Sequence, residues 1–299
     1  MSTNSLIEWT KHTLNLWWGC TKISPACLFC YAWVLSQFRI PVGWLIFGPR
    51  SNRKTRRGAR RPVIWGRKAK RIAPPLGGDY MRQPFKWNRD AARLGERHRV
   101  FVSSMSDLFE DHPDPRIKRM MSERRTFFFE HIVPACPNLD FLALTKRPHN
   151  IMGRVPASWK KGFPPNVWIG CTVEDQQRAD ERLPYLVEVP AVVRFISAEP
   201  LLEAVDLARF IDNIDWVICG GESASKARPS AIEWVRSLRD QTIAAGKKFF
   251  FKQWGHWSQR DGSGEQLVKL RVKNTRLLDG REWNELPQPR VGPRNAVAS

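Results

Sequence analysis

The chain has 299 residues, with 49 lysines and arginines against 29 acidic residues, a formal net charge of +20 at pH 7. An apolar fraction of 42% supports a substantial core, so the chain is not a basic disordered tail, and its length suits one large domain or two small ones. No stretch approaches the roughly 20 apolar residues of a membrane-spanning helix, and Met1–Trp9 lacks the basic-then-apolar pattern of a secretory signal.

From these exclusions a cytoplasmic chain that does not span a membrane is expected. Thiols stay reduced there, and clustered cysteines serve as metal ligands more often than as disulfides. The charge predicts attraction to polyanions, nucleic acid first and an anionic membrane surface second, against the plainer reading of a solvated basic surface.

In chain order, Ile7-Glu8-Trp9-Thr10 leads to Leu14–Gly19, which reads as a short first strand. The segment from Cys20 to Tyr31 then carries three of the six cysteines, Cys20, Cys27 and Cys30, spaced C-x6-C-x2-C. Three close thiolates suit a metal centre with one open position. A [4Fe–4S] cluster ordinarily takes four cysteines, and a structural zinc wants four ligands, here completed by His12 or a distant cysteine. The spacing leaves both open. Cys30–Phe38 reads as the first helix.

Residues 39–98 interrupt the pattern. No acidic residue occurs from Arg39 to Gly78, and the segment is dense in Arg50, Arg53, Lys54, Arg56, Arg57, Arg60, Arg61, Arg67 and Lys68, with Lys70 and Arg71 beyond and Trp44, Trp65 and Trp87 interleaved. It reads as a loop-like basic insertion whose cations neutralise phosphates and whose indoles stack on unpaired bases, or as a merely solvated basic loop.

From residue 99 the chain becomes regular. Strands are expected at Arg99–Met105, Leu139–Lys146, Asn166–Glu174, Ala191–Pro200, Ile214–Glu222 and Lys247–Trp254. Helices are expected at Pro115–Glu130, His149–Lys160, a polar stretch through Glu188, and Ser230–Ala245, the last with Ser230 as N-cap, Glu233 completing a capping box and Gly246 as the stop. Leu201–Phe210 reads as a short helix or linker. Such alternation means an α/β fold with a parallel sheet. A partial or complete TIM-like (β/α) barrel is favoured, over residues 1–255 with the insertion at 39–98. A small C-terminal extension follows at 256–299. There, Gln266–Val272 and Leu277–Trp283 suggest a hairpin with an Asp-Gly turn, and the last residues form a tail. GxGxxG and GxxxxGK[ST] motifs are missing, which removes dinucleotide and P-loop readings.

The strands end in polar groups: Ser103, Ser104, Ser106 and Asp107; Thr145 and Lys146; Thr172 and Glu174; Ser197 and Glu199; Gly220, Gly221 and Glu222; Lys252 and Gln253. In a parallel barrel these ends face one side, where active sites are built, and the cysteine segment follows the first strand on that side. Ordinary strand-end polarity and helix capping are the alternative. Cys136, Cys171 and Cys219 lie in or near apolar runs and read as buried thiols. The six histidines show no HxH or HExxH arrangement, and His112 reads as incidental.

Several words of this sequence resemble a phage-associated, three-cysteine-motif family of radical-SAM-like proteins, in the radical S-adenosylmethionine (SAM) superfamily. They are Ile7–Thr10, Gly19–Pro25 with Cys27–Ala32, Ser104–Phe109, Leu144–Pro148, Val173–Gln176, Ser197–Leu202, Gly220–Ser223 and Phe250–Gly255, in order across residues 7–255. The general superfamily spacing is C-x3-C-x-Φ-C. Here Phe29 holds the aromatic place, and the wide first gap is what this family looks like. The resemblance implies a radical SAM type of barrel in which Cys20, Cys27 and Cys30 hold a [4Fe–4S] cluster and Phe29 lies against the adenine of SAM. It further implies that Ser103, Ser104, Ser106 and Asp107 meet the methionine amino group and Lys146 the carboxylate. Glu174 or Glu199 would take the ribose hydroxyls, with Gly220, Gly221 and Glu222 along the adenine.

The expected function is thus a radical SAM enzyme, of isomerase or transferase class, acting on nucleic acid, DNA rather than RNA. It would be supplied by a one-electron donor such as a flavodoxin or ferredoxin, in the host cytoplasm if phage-encoded. Some phages carry thymine bearing amino-acid-derived groups, and isomerisation of such a hypermodified thymine fits the family context and the charge. The rivals are a non-catalytic nucleic-acid-binding protein with a structural zinc or iron–sulfur site, and a radical SAM enzyme acting on a protein or small molecule.

Overall fold

The apolar runs of the sequence become strands because nearly every residue in them is buried, on both faces of a sheet. The computed structural model describes residues 5–39, 41, 43–48, 62–223, 226–260, 263–269 and 276–288. The chain divides into two compact units, Met1–Leu6 with Thr10–Phe141, and Ile7–Trp9 with Leu142–Ser299.

The first unit contains β1 (His12–Leu14), α1 (Tyr31–Phe38), β2 (Leu45–Phe47), β3 (Arg71–Ala73), α2 (Asp79–Leu94), β4 (His98–Val102) and α3 (Pro115–Phe127). A π-helical turn (Phe128–Ile132) and one further helical turn, α4 (Val133–Ala135), lead into β5 (Leu139–Thr145). The strand order is β1-β4-β5, with β1 and β4 parallel and Leu14 opposite Val102. Asp114 caps α3 by accepting the N–H groups of Arg116 and Ile117, with Pro115 in the first turn. α2 ends at Gly95 in the left-handed conformation, φ 66°.

Three expectations change here. The first strand is His12–Leu14, and farther on Trp18 forms only an isolated bridge to Ile72. The insertion is not wholly loop-like: β2 and β3 pair antiparallel within it, and α2 runs for 16 residues. α2 was obscured because Pro84 interrupts its pattern while Met81, Trp87 and Ala91 still line its buried side. His149–Lys160 forms only two short 3-10 turns.

The second unit contains the end of β5, β6 (Val167–Thr172), α5 (Gln176–Val187), β7 (Arg194–Ala198), β8 (Trp216–Gly220), α6 (Ile232–Ala244) and β9 (Lys248–Gln253). Its order is β5-β6-β7-β8-β9, and the pairings from β6 to β9 are parallel. Every residue of β6, β7 and β8 is buried, which explains continuous apolar runs in place of alternation. This sequential order fits a partial (β/α) barrel and not a doubly wound sheet, whose order reverses. Among the described residues, no helix is long and apolar enough to cross a membrane.

An aromatic cluster fills the second unit. Trp216 meets Trp9 and Trp168 edge-on, each at 6.3 Å, with Phe195 at 5.8 Å and Phe250 at 6.0 Å. Gly170 makes room for it, since a Cβ there would lie 2.3 Å from the Phe195 ring. Leu201–Phe210 is a linker without helix. α6 starts after Ala231, and Ser230 does not cap it. The Ser230 hydroxyl instead donates to the Leu201 carbonyl at 2.5 Å.

The C-terminal extension forms two hairpins where one was expected. β10 (Trp257–Gln259) pairs with β11 (Leu267–Lys269), and β12 (Leu277–Leu278) pairs with β13 (Arg281–Glu282) around the Asp279-Gly280 turn. The tail beyond residue 288 lies outside the described residues. Asp279 fastens this extension to α6, accepting from Arg236 at 2.7 Å, Arg239 at 2.5 Å and Gln259 at 3.0 Å. The Arg236 hydrogen bond, foremost, holds the Asp279 carboxyl well below its ordinary range against the opposing effect of burial.

That depressed carboxyl sets the sign of a pH effect. Its stabilisation is fully present above the ordinary aspartate range, near pH ~4, and is lost as pH falls below it. Asp279→Asn is expected to cost about 1.5–3 kcal/mol at pH 7, the range for hydrogen bonds to charged groups. Thermal unfolding of both proteins from pH 7 to pH 3 should show the difference shrinking with acidification.

Candidate functional site

β1 and β4 are parallel neighbours, so the segments leaving their C-terminal ends emerge side by side. After β1 comes the cysteine segment, and after β4 come Ser103–Asp107. Hydrogen bonds stitch the two together. The Ser103 N–H donates to the Leu14 carbonyl at 2.7 Å, and the Gly19 N–H to that of Met105 at 3.0 Å. Asn15 accepts the Met105 N–H at 2.7 Å and donates to Ser104 Oγ at 3.0 Å. The Tyr31 hydroxyl donates to the Ser104 carbonyl at 2.7 Å.

Beneath the cysteine segment lies an ion pair between Arg71 and Glu110, 2.8 Å apart, both side chains fully buried. Glu110 Oε1 also accepts the Thr21 N–H at 2.7 Å, one residue past Cys20. Arg71 donates to Thr21 Oγ1 at 3.2 Å and to the carbonyls of Ile64, Ala69 and Lys70, each at 3.0 Å, and of Gly66 at 3.3 Å. The Gly66 N–H in turn donates to the Cys20 carbonyl at 2.9 Å. Gly19 is required at its position: φ is 106°, and a Cβ would stand 2.3 Å from the Ile64 carbonyl oxygen. His112 extends the same post. Its Nε2 bonds the Ala69 carbonyl at 3.0 Å and its Nδ1 accepts the Asp114 N–H at 3.1 Å, a pattern only the neutral ring satisfies. Burial, aided by the Arg71 charge, pushes the His112 pKa down.

Arg71 thus corrects the reading of the basic run: it is a buried organiser and not a phosphate contact. Of the cations assigned to nucleic acid, Arg67 and Lys68 are exposed beside Gly66. Arg50, Arg53, Lys54, Arg56, Arg57, Arg60 and Arg61 lie outside the described residues.

Cys20, Cys27 and Cys30 are half-buried thiols, none in a disulfide. The Cys20 thiol contacts the Thr21 carbonyl at 3.6 Å, and Cys27 Sγ lies 3.7 Å from Ser24 Oγ. Cys30 occupies the N-cap of α1 without using its side chain as a cap. Phe29 is half-buried between them. Among the described residues, no three His, Cys, Asp or Glu side chains converge as the ligands of a single ion would. In a [4Fe–4S] cube each thiolate binds a different iron, so convergence on one point is not required of them. His12, the sequence candidate for a fourth zinc ligand, is engaged elsewhere: its ring stacks on Trp87 at 4.4 Å and bonds His98 at 3.1 Å.

A thiol-only donor set suits a thiophilic centre. The turn after β4 lies beside the cysteine segment. Ser103 is buried at φ 66°, a costly conformation for a residue other than glycine, and the hydroxyls of Ser103 and Ser106 are buried without a hydrogen-bond partner among the described residues. Asp107 instead accepts the Phe109 N–H at 3.0 Å within its own turn.

In the second unit, the strand-end charges are largely paired. Lys252 meets Glu199 at 2.8 Å, and Ser197 donates to Glu199 at 3.1 Å. Burial opposes the Lys252 charge, but Glu199, helped by Glu8, raises its pKa on balance. Gly220 lets Glu199 lie close, since a Cβ there would be 3.1 Å from Oε1. Gly221 packs under Trp254, whose carbonyl oxygen would lie 2.3 Å from a Cβ. Glu174 is fully buried against Arg182 at 2.7 Å. Glu222 is clasped by Arg228, through Nη2 at 2.5 Å and Nε at 3.0 Å. Lys146 donates to Thr172 Oγ1 at 3.3 Å. Cys171 and Cys219 are buried, and burial, with the Glu199 charge, pushes the Cys219 thiol far up, away from reactivity. Burial alone raises Cys136 to about 12.

Sequence reasoning missed Arg71, Glu110, Arg182 and Arg228. Arg182 follows Glu174 by eight residues within one helix–strand connection, a detectable spacing. The Arg71–Glu110 pair, 39 residues apart, left no local signal.

A family model described as a protein of unknown function (DUF5131) matches residues 4–287. Neither the curated proteins nor the solved structures contain a match.

Removing either member of the buried pair leaves an uncompensated charge. Arg71→Met and Glu110→Gln are each expected to cost about 3–5 kcal/mol by urea unfolding. The double variant R71M/E110L should not recover wild-type stability, because four carbonyls lose the Arg71 hydrogen bond and the Thr21 N–H loses the Glu110 carboxylate. The His112 pKa is lower folded than unfolded, so its unfolded form binds more protons below the ordinary value near pH ~6.5. Stability should fall as pH drops through that value, and the slope should be shallower in His112→Gln, measured by the same unfolding between pH 7.5 and 5.

Proposed function

The chain belongs to the DUF5131 family of unknown function, whose model spans residues 4–287, and on that premise we propose that it is a radical SAM enzyme acting on nucleic acid. The observation that carries the proposal is the cysteine segment, mounted on a buried ion pair and stitched to a strained turn with two unpartnered hydroxyls. Cys20, Cys27 and Cys30 would hold a [4Fe–4S] cluster. Such a cluster, when bound, supplies the electron that splits SAM into methionine and a 5′-deoxyadenosyl radical, which takes hydrogen from an unreactive carbon.

The protein's own residues seat and orient the reactants. The hydroxyls of Ser103 and Ser106, which have no hydrogen-bond partner among the described residues, would meet the methionine amino group with the peptide groups of their turn, and Phe29 would lie against the adenine. In the second unit Glu174, Glu199 and Glu222 are each committed to a cation, Arg182, Lys252 and Arg228.

Charge supports nucleic acid as substrate. The first unit carries 25 lysines and arginines against 10 acidic residues, most of the excess of the whole chain. Cations of this density release counterions from a phosphate backbone. A target base in duplex DNA would have to be flipped out of the stack, and a hypermodified thymine is the substrate proposed. The reducing cytoplasm is the compartment that suits three open thiols.

The test is anaerobic reconstitution with iron and sulfide, followed by dithionite and SAM. The wild type is expected to turn brown and to form 5′-deoxyadenosine, with cluster content and product falling to background in Cys20→Ala, Cys27→Ala and Cys30→Ala. Product no higher than in those variants, with and without DNA, would sink the enzyme reading. A colourless, zinc-containing protein that still binds DNA would establish the non-catalytic rival.

A further inference from the structure

We infer that β2 is a wedge for duplex DNA, with Leu45 and Ile46 entering the base stack and filling the space that an extruded base leaves. The inference rests on the nucleic-acid part of the proposed function and says how that substrate is opened.

β2 is held at both ends. Just before it, the half-buried Trp44 ring packs on Tyr80 at 4.9 Å and on Trp18 at 5.8 Å. Tyr80 is fixed in turn, its hydroxyl accepting the Asn15 N–H at 2.7 Å. At the other end Phe47 lies under the Arg124 guanidinium, 5.4 Å from the ring centre. Between these aromatic anchors stand Leu45 and Ile46, 49% and 55% exposed. Successive strand residues point to opposite faces, so neighbours that are both exposed make β2 a blade that stands out from the unit and not a face laid on it.

The blade has a firm base. β3 is buried at each of its residues and pairs Ala73 with Leu45, Ile72 with Ile46 and Arg71 with Phe47. Arg71 belongs to the buried pair with Glu110, so the ribbon stands on the same post as the cysteine segment. A wedge needs such support, because it works against the stacking of the bases it separates.

The charge selects the occupant. The connection from β2 to β3, residues 48–70, carries ten lysines and arginines and no acidic residue. Of these, Lys70 lies against Gly48, where a Cβ would stand 3.0 Å from Lys70 Cγ, and Arg67 and Lys68 are exposed. Two aliphatic side chains on a narrow blade beside cations match a base step lying between phosphate strands. A lipid surface or an apolar protein patch asks for a broad face, and β2 presents two residues. Insertion of aliphatic side chains unstacks a step, and chemistry on a base in duplex DNA requires that base outside the stack.

The experiment uses the full chain as wild type, as L45S/I46S and as the conservative L45M/I46M. Both positions are exposed, and unchanged melting temperatures verify the folds. The probes are short duplexes carrying 2-aminopurine beside a thymine, matched or mismatched, and the corresponding single strand. 2-Aminopurine fluoresces more strongly when it loses a stacked neighbour. The wild type is expected to raise that fluorescence and to bind the mismatched duplex about tenfold more tightly than the matched one, because a mismatched base costs less to extrude. L45S/I46S should lose both the rise and the preference, with single-strand affinity and the salt dependence of binding unchanged. L45M/I46M should keep both. Duplex binding without the rise, or a rise that persists in L45S/I46S, overturns the inference alone. Loss of binding to phosphatidylglycerol vesicles in L45S/I46S, with the DNA readouts intact, assigns β2 to a lipid surface and overturns it too. A wild type that binds no oligonucleotide fails the nucleic-acid reading, and the inference falls with it. The readouts need no turnover, so absent 5′-deoxyadenosine with the rise and its loss in L45S/I46S intact fails the enzyme reading and upholds the wedge.

Discussion

The first unit depends on one interaction, the buried ion pair of Arg71 and Glu110. A guanidinium taken out of water carries a large desolvation penalty, and a single carboxylate at 2.8 Å seldom offsets it alone. Here the rest of the fork is spent on backbone carbonyls, and the carboxylate keeps a lone pair for the Thr21 N–H. Every donor of Arg71 therefore has work, and each bond fixes a loop with no secondary structure of its own. Thr21, Ile64, Gly66, Ala69 and Lys70 are held in place by the same pair. The result is a bed of fixed backbone under Cys20, with the Thr21 N–H held by Glu110 and the Cys20 carbonyl by the Gly66 N–H.

The second unit solves a related problem by different means. Its strands are apolar along their length and buried on both faces, so charges collect at their ends. Arg182 and Arg228 neutralise Glu174 and Glu222, and Glu199 shares its charge with Lys252. Glycines set the distances: Gly220 admits the Glu199 carboxylate, and Gly221 admits the Trp254 backbone. Each of these strand-end acids is thus held by a cation through its side chain, and Glu199 also accepts from Ser197.

Much of the architecture was legible in the sequence because it is written in local periodicity. Apolar runs such as Val167–Thr172 and Trp216–Gly220 became buried parallel strands, and Asp279-Gly280 made the expected turn, its two positive φ angles suiting that dipeptide. What was misread has identifiable causes. Pro84 hid a 16-residue helix inside a basic stretch. Ser230 has the composition of a cap, but its hydroxyl donates to the Leu201 carbonyl. Arg71 looked like its neighbours in a run of cations, since charge alone does not say which member of a run turns inward.

The sequence by itself determined the alternation of strands and helices, the polar strand ends and the three-cysteine spacing, because each depends on residues close along the chain. Only the tertiary structure decided which charges are spent. The pairing of Arg71 with Glu110 across 39 residues, the strained turn at Ser103 and the exposure of Leu45 and Ile46 on β2 all arise from elements brought together by folding. The physical reason is desolvation: whether a charge or an apolar face stays available to a partner depends on what covers it, and that is settled by packing.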